Sequence, residues 1–301
     1  MSSDYRKALT ALTVTLVAGA LIDYRLEPAR ARPLLLPQVP AMTAAEGSPA
    51  GGDSGELRVC ADPNNMPFSS VSGQGFENVL ARMVARDLGL HVHYTWWPQR
   101  RGFFRSTLQA GRCDVVMGVP ADYLQVLATA VYYRSTYVFV TRRDRALHLQ
   151  SLDDPRLRSL RIGVHINSPP AQALALRGLL AGVRGYSIYG NYEQPDPPRA
   201  LIDAVARGDV DVAIAWGPLA GYFAPREPVA LELAPVASPG GPLPMHFAIS
   251  MGVRSQDQWL RRLLDAELAH RHEDIERLLA RFGVPLVQPD GAVRLAHNTA
   301  E

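Results

Sequence analysis

Net charge is small in this sequence. Lysine and arginine together number 31 against 29 aspartates and glutamates, which leaves a formal charge of +2. A nucleic-acid-binding surface usually needs a strongly basic face, so this balance argues against a nucleic-acid partner. Hydrophobic residues make up 47% of the 301 residues, the proportion of a globular protein with a full core.

The sequence also lacks the local motifs of the common catalytic and metal sites. It contains no calcium loop of alternating acidic residues, no phosphate-binding glycine loop, no nucleophile elbow and no zinc-protease helix. His91 and His93 share one face of a predicted strand, but no third ligand lies at a suitable spacing. We therefore expect no catalytic residue, no bound metal and no cofactor.

An apolar run long enough to cross a bilayer is missing as well. Arg6 and Lys7 precede the apolar residues 8–22, an order and length typical of a secretory signal. Residues 23–55 are rich in proline, alanine, glycine and serine, which predicts a flexible linker. We therefore predict a signal peptide at 1–22, export to the periplasm and, after cleavage near 18–20 or 29–31, no stable membrane insertion.

Strand and helix patterns alternate along the rest of the chain. The first group has predicted strands at 57–61, 91–97 and 114–117 and predicted helices at 76–88 and 102–110. The second group has strands at 137–141, 160–165, 186–189, 210–215 and 247–253 and helices at 171–180, 198–207, 256–270 and 273–282. This order predicts an α/β protein of two lobes, each a mainly parallel sheet flanked by helices.

The second lobe is predicted to interrupt the first. Residues 56–141 form the first part of lobe 1, residues 142–244 form the inserted lobe 2, and residues 245–287 return to lobe 1 with the C-terminal helices. Residues 288–301 are predicted to be a disordered tail. Because ligands bind at the carboxyl ends of strands in such sheets, the crevice between the lobes is the expected site.

The order of these segments resembles the type II periplasmic solute-binding proteins, a group that includes receptors for polar amino acids. The matching stretches are residues 57–68, 75–77, 108–118, 132–140, 161–164 and 208–215. Together they cover most of the predicted folded part. The resemblance implies the two-lobed fold of that group.

Four stretches carry a narrower resemblance, to the quinoprotein-dehydrogenase-associated binding proteins of the MxaJ and XoxJ type. They are residues 58–68 (RVCADPNNMPF), 94–103 (YTWWPQRRGF), 113–120 (CDVVMGVP) and 132–140 (YYRSTYVFV). This resemblance implies a non-catalytic periplasmic accessory protein that acts in the maturation or activation of a methanol or alcohol dehydrogenase. Such dehydrogenases use pyrroloquinoline quinone (PQQ) with calcium or a lanthanide, and the quinone and the metal would belong to the dehydrogenase.

The sequence departs from the amino-acid receptors at two positions. Those proteins carry an arginine after the third strand and an aspartate late in the second lobe. Here residues 118–125 contain no arginine, and residues 215–218 read Ala-Trp-Gly-Pro. Because a buried zwitterion needs charged partners at both ends, we do not expect polar amino acids to bind.

We predict that the cleft is lined from both lobes by residues near the ends of the strands. Those of lobe 1 are Asp62, Asn64, Asn65, Phe68, Glu77, Trp97, Arg100, Arg101, Gly118, Tyr133 and Arg134, and those of lobe 2 are His165, Ser168 and Trp216. Phe68 and Trp97 are expected to form an aromatic rim that contacts the partner protein, although they could instead pack in the core. Arg100, Arg101 and Arg134 suit an anion or an acidic protein surface, with ordinary solvation as the alternative.

Two other functions stay open at this point. The first is a substrate-binding component of an ABC importer for a small, anionic ligand other than an amino acid, which the arginines favour. The second is an enzyme on the same scaffold, for which Asp62, Glu77 and His165 are the acid–base candidates.

The pairing of Cys60 and Cys113 is also left open. Two cysteines in an exported protein favour a disulfide. In the predicted sheet, however, the two residues are offset by about four positions at roughly 3.3 Å each, more than a disulfide spans.

Overall fold

The computed structural model describes residues 55–188, 196–237 and 243–295. The predicted signal peptide, the predicted linker up to residue 54 and the last six residues of the predicted tail lie outside these ranges. Within them, no helix is long and apolar enough to cross a membrane.

The described part of the first half, residues 55–142, contains seven strands and two α-helices, and the last of these strands is long. They are β1 (Glu56–Ala61), β2 (Asn64–Asn65), β3 (Ser69–Ser70), α1 (Phe76–Asp87), β4 (His91–Trp96), α2 (Phe103–Ser106), β5 (Val115–Pro120), β6 (Leu127–Ala128) and β7 (Tyr133–Arg142). The apolar spacing predicts the buried face of α1: Phe76, Leu80 and Val84 lie in the core, and Met83 and Leu88 pack against it.

The second half supplies the remaining elements. They are β8 (Ile162–His165), α3 (Pro169–Leu176), β9 (Val183–Tyr186), α4 (Ala200–Arg207), β10 (Val212–Trp216), α5 (Gly217–Phe223), β11 (Leu231–Pro235), β12 (His246–Val253), α6 (Gln258–His270), α7 (His272–Arg281), β13 (Leu286–Val287) and β14 (Val293–Arg294). Ser168 caps α3, because its hydroxyl accepts a hydrogen bond from the Ala171 N–H at 3.4 Å.

The strands follow the order β4-β1-β5-β12-β7-β10-β8-β9. β4, β1 and β5 are parallel to one another, and so are β10, β8 and β9. These two parallel groups, with helices packed on them, confirm the predicted α/β class.

The centre of the sheet is antiparallel, which the prediction of mainly parallel sheets did not anticipate. Strand β7 is ten residues long and is shared: its first residues pair with β12, and its later residues pair with β10 and β11, all antiparallel. The apolar pattern predicts this strand only at 137–141. It begins at Tyr133 because residues 133–136 pair with β12, where the polar Ser135 and Thr136 are buried.

Two further predictions were wrong in part. The helix expected at 102–110 is one turn long and ends at Thr107, whose hydroxyl donates back to the carbonyl of Phe103 at 2.7 Å. The tail expected to be disordered from 288 instead continues into a hairpin, since β14 pairs with β13 and the Ala292 N–H donates to the Asp290 carboxylate at 2.9 Å. Helix α5 and strand β11 were missed.

Side chains of the chain itself join the two lobes. Met66, from the loop after β1, packs among Leu201 and Ile202 of α4. Phe282, which follows α7, lies 5.8 Å from the ring of Phe76 and stacks on Tyr222 of α5 at 5.6 Å. Met66 and Phe282 therefore extend the hydrophobic packing of one lobe onto the other.

Candidate functional site

Asp62 lies at the carboxyl end of β1, where the predicted site begins. Its side chain is buried, and its two carboxylate oxygens accept hydrogen bonds from the backbone N–H groups of Asn64 at 2.8 Å and Gln99 at 2.7 Å. This arrangement ties the loop after β1 to the loop after β4. Asp62 thus connects the two loops, and both of its carboxylate oxygens are engaged in hydrogen bonds.

Asn64 and Asn65 form β2, which pairs with β3 in a short hairpin on the same loop. The side-chain amide of Asn65 donates to the Gln99 side chain at 3.3 Å, while the side-chain oxygen of Asn64 accepts from the backbone N–H of Asp196 at 3.1 Å. Asp196 precedes α4, so Asn64 bridges the lobes. Asn64 therefore lies at the junction of the lobes, while Asn65 contacts the loop after β4.

Glu77 occupies the first turn of α1 and points toward β5. A Cβ on Gly118 would lie 2.1 Å from Oε1 of Glu77, so the carboxyl group fills the space that Gly118 leaves open. Burial raises the pKa of Glu77 to about 8. Burial raises the pKa values of Tyr132 and Tyr133, and the negative charge of the Glu77 carboxylate raises them further. Glu77, Tyr132 and Tyr133 therefore form one cluster.

Cys60 and Cys113 form a disulfide with a Cα–Cα distance of 5.5 Å. Cys60 lies opposite Val116, and Cys113 lies outside the strand, in the turn that precedes β5. The predicted sheet places Cys113 at the amino end of the neighbouring strand, about four positions from Cys60, and this overestimates the separation. A hydrogen bond from the Asp114 N–H to the Arg58 carbonyl, 2.8 Å long, keeps the turn close to β1.

Trp97 packs beside this disulfide. Its half-buried ring contacts the cluster of Cys60, Cys113 and Phe103, and the Arg112 guanidinium lies 5.2 Å from the ring centroid. Phe68 is also half-buried and meets Phe76 edge-on at 5.4 Å. Both side chains therefore support the cores beneath the rim, and the partner-binding role predicted for them stays a prediction.

We expect Trp97→Ala to lower the free energy of unfolding by about 2 kcal/mol, because it leaves a gap against the disulfide cluster. Trp97→Phe, which keeps an aromatic ring at the position, should recover more than half of this loss. Urea unfolding of both variants measures the difference. Wild-type stability of Trp97→Ala would instead return Trp97 to the exposed rim.

Arg100 and Arg101 lie together on a concave surface of lobe 1. The concavity measures about 690 Å³ and extends from the loop after β4 to the loop after β5, with Gly118 in its wall. Arg105, which is not among the predicted site residues, also lines the concavity. Arg134, predicted to join this group, is exposed on β7 and is not part of this lining.

The lobe 2 residues lie at the ends of β8 and β10. Burial lowers the pKa of His165 to about 4, and none of the described residues offers a hydrogen-bond partner to its Nε2. The Ser168 hydroxyl donates to the His165 carbonyl at 2.6 Å. Trp216 lies 5.2 Å from Tyr137 and 5.9 Å from Phe247, so an aromatic cluster ends β10.

The acid–base candidates lie on separate elements, with Asp62 after β1, Glu77 on α1 and His165 at the end of β8. In the described ranges, no hydrogen bond joins Asp62, Glu77 and His165 to one another. No group of three histidine, cysteine, aspartate or glutamate side chains there is placed to hold a metal ion.

Two α/β lobes that share a central strand and contact each other through their loops define a two-lobed type II periplasmic binding protein. The family model for the bacterial extracellular solute-binding proteins, family 3, matches residues 57–284, and the chain belongs to this family.

Two curated relatives and one solved structure are similar to this chain over most of its length. The chain is 33% identical over 295 residues to Protein MoxJ of Methylorubrum extorquens, covering 93% of this chain and 95% of that protein. It is 30% identical over 264 residues to Protein MoxJ of Paracoccus denitrificans, covering 82% and 95%. The crystal structure of the periplasmic binding protein XoxJ from Methylobacterium extorquens AM1 is 36% identical with a TM-score of 0.65, covering 77% of this chain and 99% of that one.

Proposed function

We propose that the protein is a non-catalytic periplasmic accessory protein of a PQQ-dependent methanol or alcohol dehydrogenase and acts in its maturation or activation. The MoxJ and XoxJ relatives support the assignment to such a system. The quinone and its metal belong to the dehydrogenase. Export by the signal peptide at 1–22 is part of this proposal.

One observation favours an accessory role over amino-acid delivery. At the end of β10, where the resemblance to amino-acid receptors calls for an aspartate, Trp216 packs with Tyr137 and Phe247. On the opposing loop, the exposed Gln125 stands in the segment where those receptors carry an arginine. A buried ammonium or carboxylate at this crevice would therefore lack the charged partners that offset its desolvation.

The contacts between the lobes are consistent with this role. The Asn64–Asp196 hydrogen bond, the insertion of Met66 and the stacking of Phe282 on Tyr222 join the lobes through side chains of the chain itself. A transport receptor instead uses the solute itself to stabilise its closed form. A preassembled pair of lobes suits the presentation of a fixed surface to a protein.

Deletion of the gene in its host, followed by complementation, tests the proposal. We expect the deletion strain to contain the dehydrogenase polypeptide but to have lost most of its methanol-oxidising activity, and the wild-type gene to restore it. Calorimetry of the purified protein with glutamate, arginine and histidine should show no heat of binding. Normal dehydrogenase activity in the deletion strain, together with micromolar binding of a solute, would support the importer alternative instead.

A further inference from the structure

The concavity of lobe 1 that contains Arg100 and Arg101 has a distinctive chemistry. Its lining includes three arginines, Arg100, Arg101 and Arg105, and no aspartate or glutamate. Three glutamines, Gln99, Gln109 and Gln125, add neutral hydrogen-bonding groups. We call this surface the arginine concavity. Its volume of about 690 Å³ can hold several side chains of another protein.

The arginines of this surface differ from most others in the fold. Arg58 and Arg254 both bind the Asp114 carboxylate, at 2.6 and 2.8 Å, and Arg271 binds Asp87 at 2.6 Å. In the part of the chain that the structure describes, no carboxylate forms an ion pair with Arg100, Arg101 or Arg105. The three guanidinium groups are thus available to carboxylates from outside, which they bind with forked, bidentate geometry.

The base of the concavity is fixed. Gly102 has a φ of 90°, a left-handed conformation that glycine adopts readily, and it separates Arg101 from the short helix that carries Arg105. Phe103 is buried against the Cys60–Cys113 cluster. The arginine side chains therefore extend from a backbone that is anchored to the core, which lowers the entropy cost of binding.

An apolar residue stands at the edge of the same surface. Leu124 is 98% exposed, and its neighbours Tyr123 and Gln125 both line the concavity. The Tyr123 ring in turn packs on Phe104 at 5.0 Å, so the loop is anchored on one side of Leu124. A single exposed leucine is common on protein surfaces, but one beside three unpaired arginines adds apolar area to a charged site.

We propose that the arginine concavity, together with Leu124, is the docking surface for an acidic segment of the partner protein that carries an apolar side chain among its carboxylates. This inference rests on the proposed function and specifies the surface and the partner chemistry. Carboxylates of the segment bind the three guanidinium groups, and its apolar residue packs on Leu124. Favourable charge also speeds the encounter, so association should slow as salt increases.

The test compares two triple variants of the full-length mature protein with equal changes in charge. R100Q/R101Q/R105Q removes the three cations of the concavity. R158Q/R262Q/R281Q removes three exposed arginines elsewhere that also form no ion pair with a described carboxylate. Both are titrated with the purified dehydrogenase and with the acetylated peptide Glu-Glu-Leu-Glu-Glu at two salt concentrations. Because none of the six side chains is buried, both variants should melt as the wild type does.

We expect the concavity variant to bind the dehydrogenase and the peptide about 30-fold more weakly or worse, and the control variant to stay within about twofold. Leu124→Ala should weaken binding about fivefold without a change in stability. Equal affinities for the two triple variants would overturn the docking surface while leaving the accessory function in place.

Two other results separate the surface from the function. If the wild type binds the peptide but not the dehydrogenase, and the concavity variant binds neither, the surface is supported and the proposed partner is wrong. If citrate displaces the peptide and binds as tightly as the peptide does, the concavity is a small-anion site and the proposal for a protein segment fails.

Discussion

Replacing both Cys60 and Cys113 with alanine is expected to lower the free energy of unfolding by about 4 kcal/mol. The disulfide closes a loop with a sequence separation of 53 residues, and removing it lets the unfolded chain sample many more conformations. Both cysteine residues are buried, with exposures of 2% and 0%, and the core around them should hold the folded state without the bond. Urea unfolding at neutral pH measures the difference between the two proteins.

Reduction provides the control for this result. Dithiothreitol in the urea solutions should shift the wild-type midpoint toward that of the double alanine variant and leave the variant unchanged. Since no other cysteine exists in the sequence, a thiol reagent should label the reduced, unfolded wild type at two positions only. Coincident midpoints of the wild type and the variant under oxidising conditions would mean that the loop is already constrained by other contacts.

The disulfide also marks the limit of what local patterns predict. The helix predicted at 76–88 depends on the spacing of neighbouring apolar residues only, and it is confirmed as α1. The Cys60–Cys113 distance depends on the path of the chain before β5, and the turn there decides whether the two sulfurs can meet. The sequence therefore left the pairing open.

The same reasoning applies to the contacts between lobes. Met66 and Phe282 are ordinary apolar residues in the sequence, and only the tertiary fold places them against α4 and Tyr222. Arg105 was missed because a helix was predicted across 102–110, which spreads its side chains around an axis. The single turn that forms instead places Arg105 beside Arg100 and Arg101.

The predicted site itself divides into two kinds of residue. Asp62, Asn64 and Asn65 were predicted as cleft residues and are engaged in hydrogen bonds that shape the loops. Arg100 and Arg101 remain unpaired with any described carboxylate and face a concavity. A sequence pattern can place both kinds at the end of a strand, but it cannot say which polar groups the chain itself satisfies.

Glu77 shows this distinction in its titration. Its carboxyl group is held against Gly118, and burial raises its pKa from the ordinary value of 4.5 to about 8. The folded protein therefore binds more protons than the unfolded chain between about pH 4.5 and pH 8. Stability is fully present below the unfolded pKa and decreases as pH rises through the folded pKa. The partial positive charge at the N-terminus of α1 stabilises the ionised carboxylate only weakly, so it offsets little of this loss.

We expect Glu77→Gln to be more stable than the wild type by on the order of 2–4 kcal/mol at pH 9 and to differ little from it at pH 4.5. The amide keeps the shape of the protonated carboxyl and cannot ionise, so the variant avoids the cost of a buried charge beside Gly118. Urea unfolding of both proteins at pH 4.5, 7 and 9 measures the change. Glu273→Gln, on the exposed start of α7, is the matched control and should follow the wild type at each pH. Parallel stability curves for Glu77→Gln and the wild type would show that Glu77 stays hydrated.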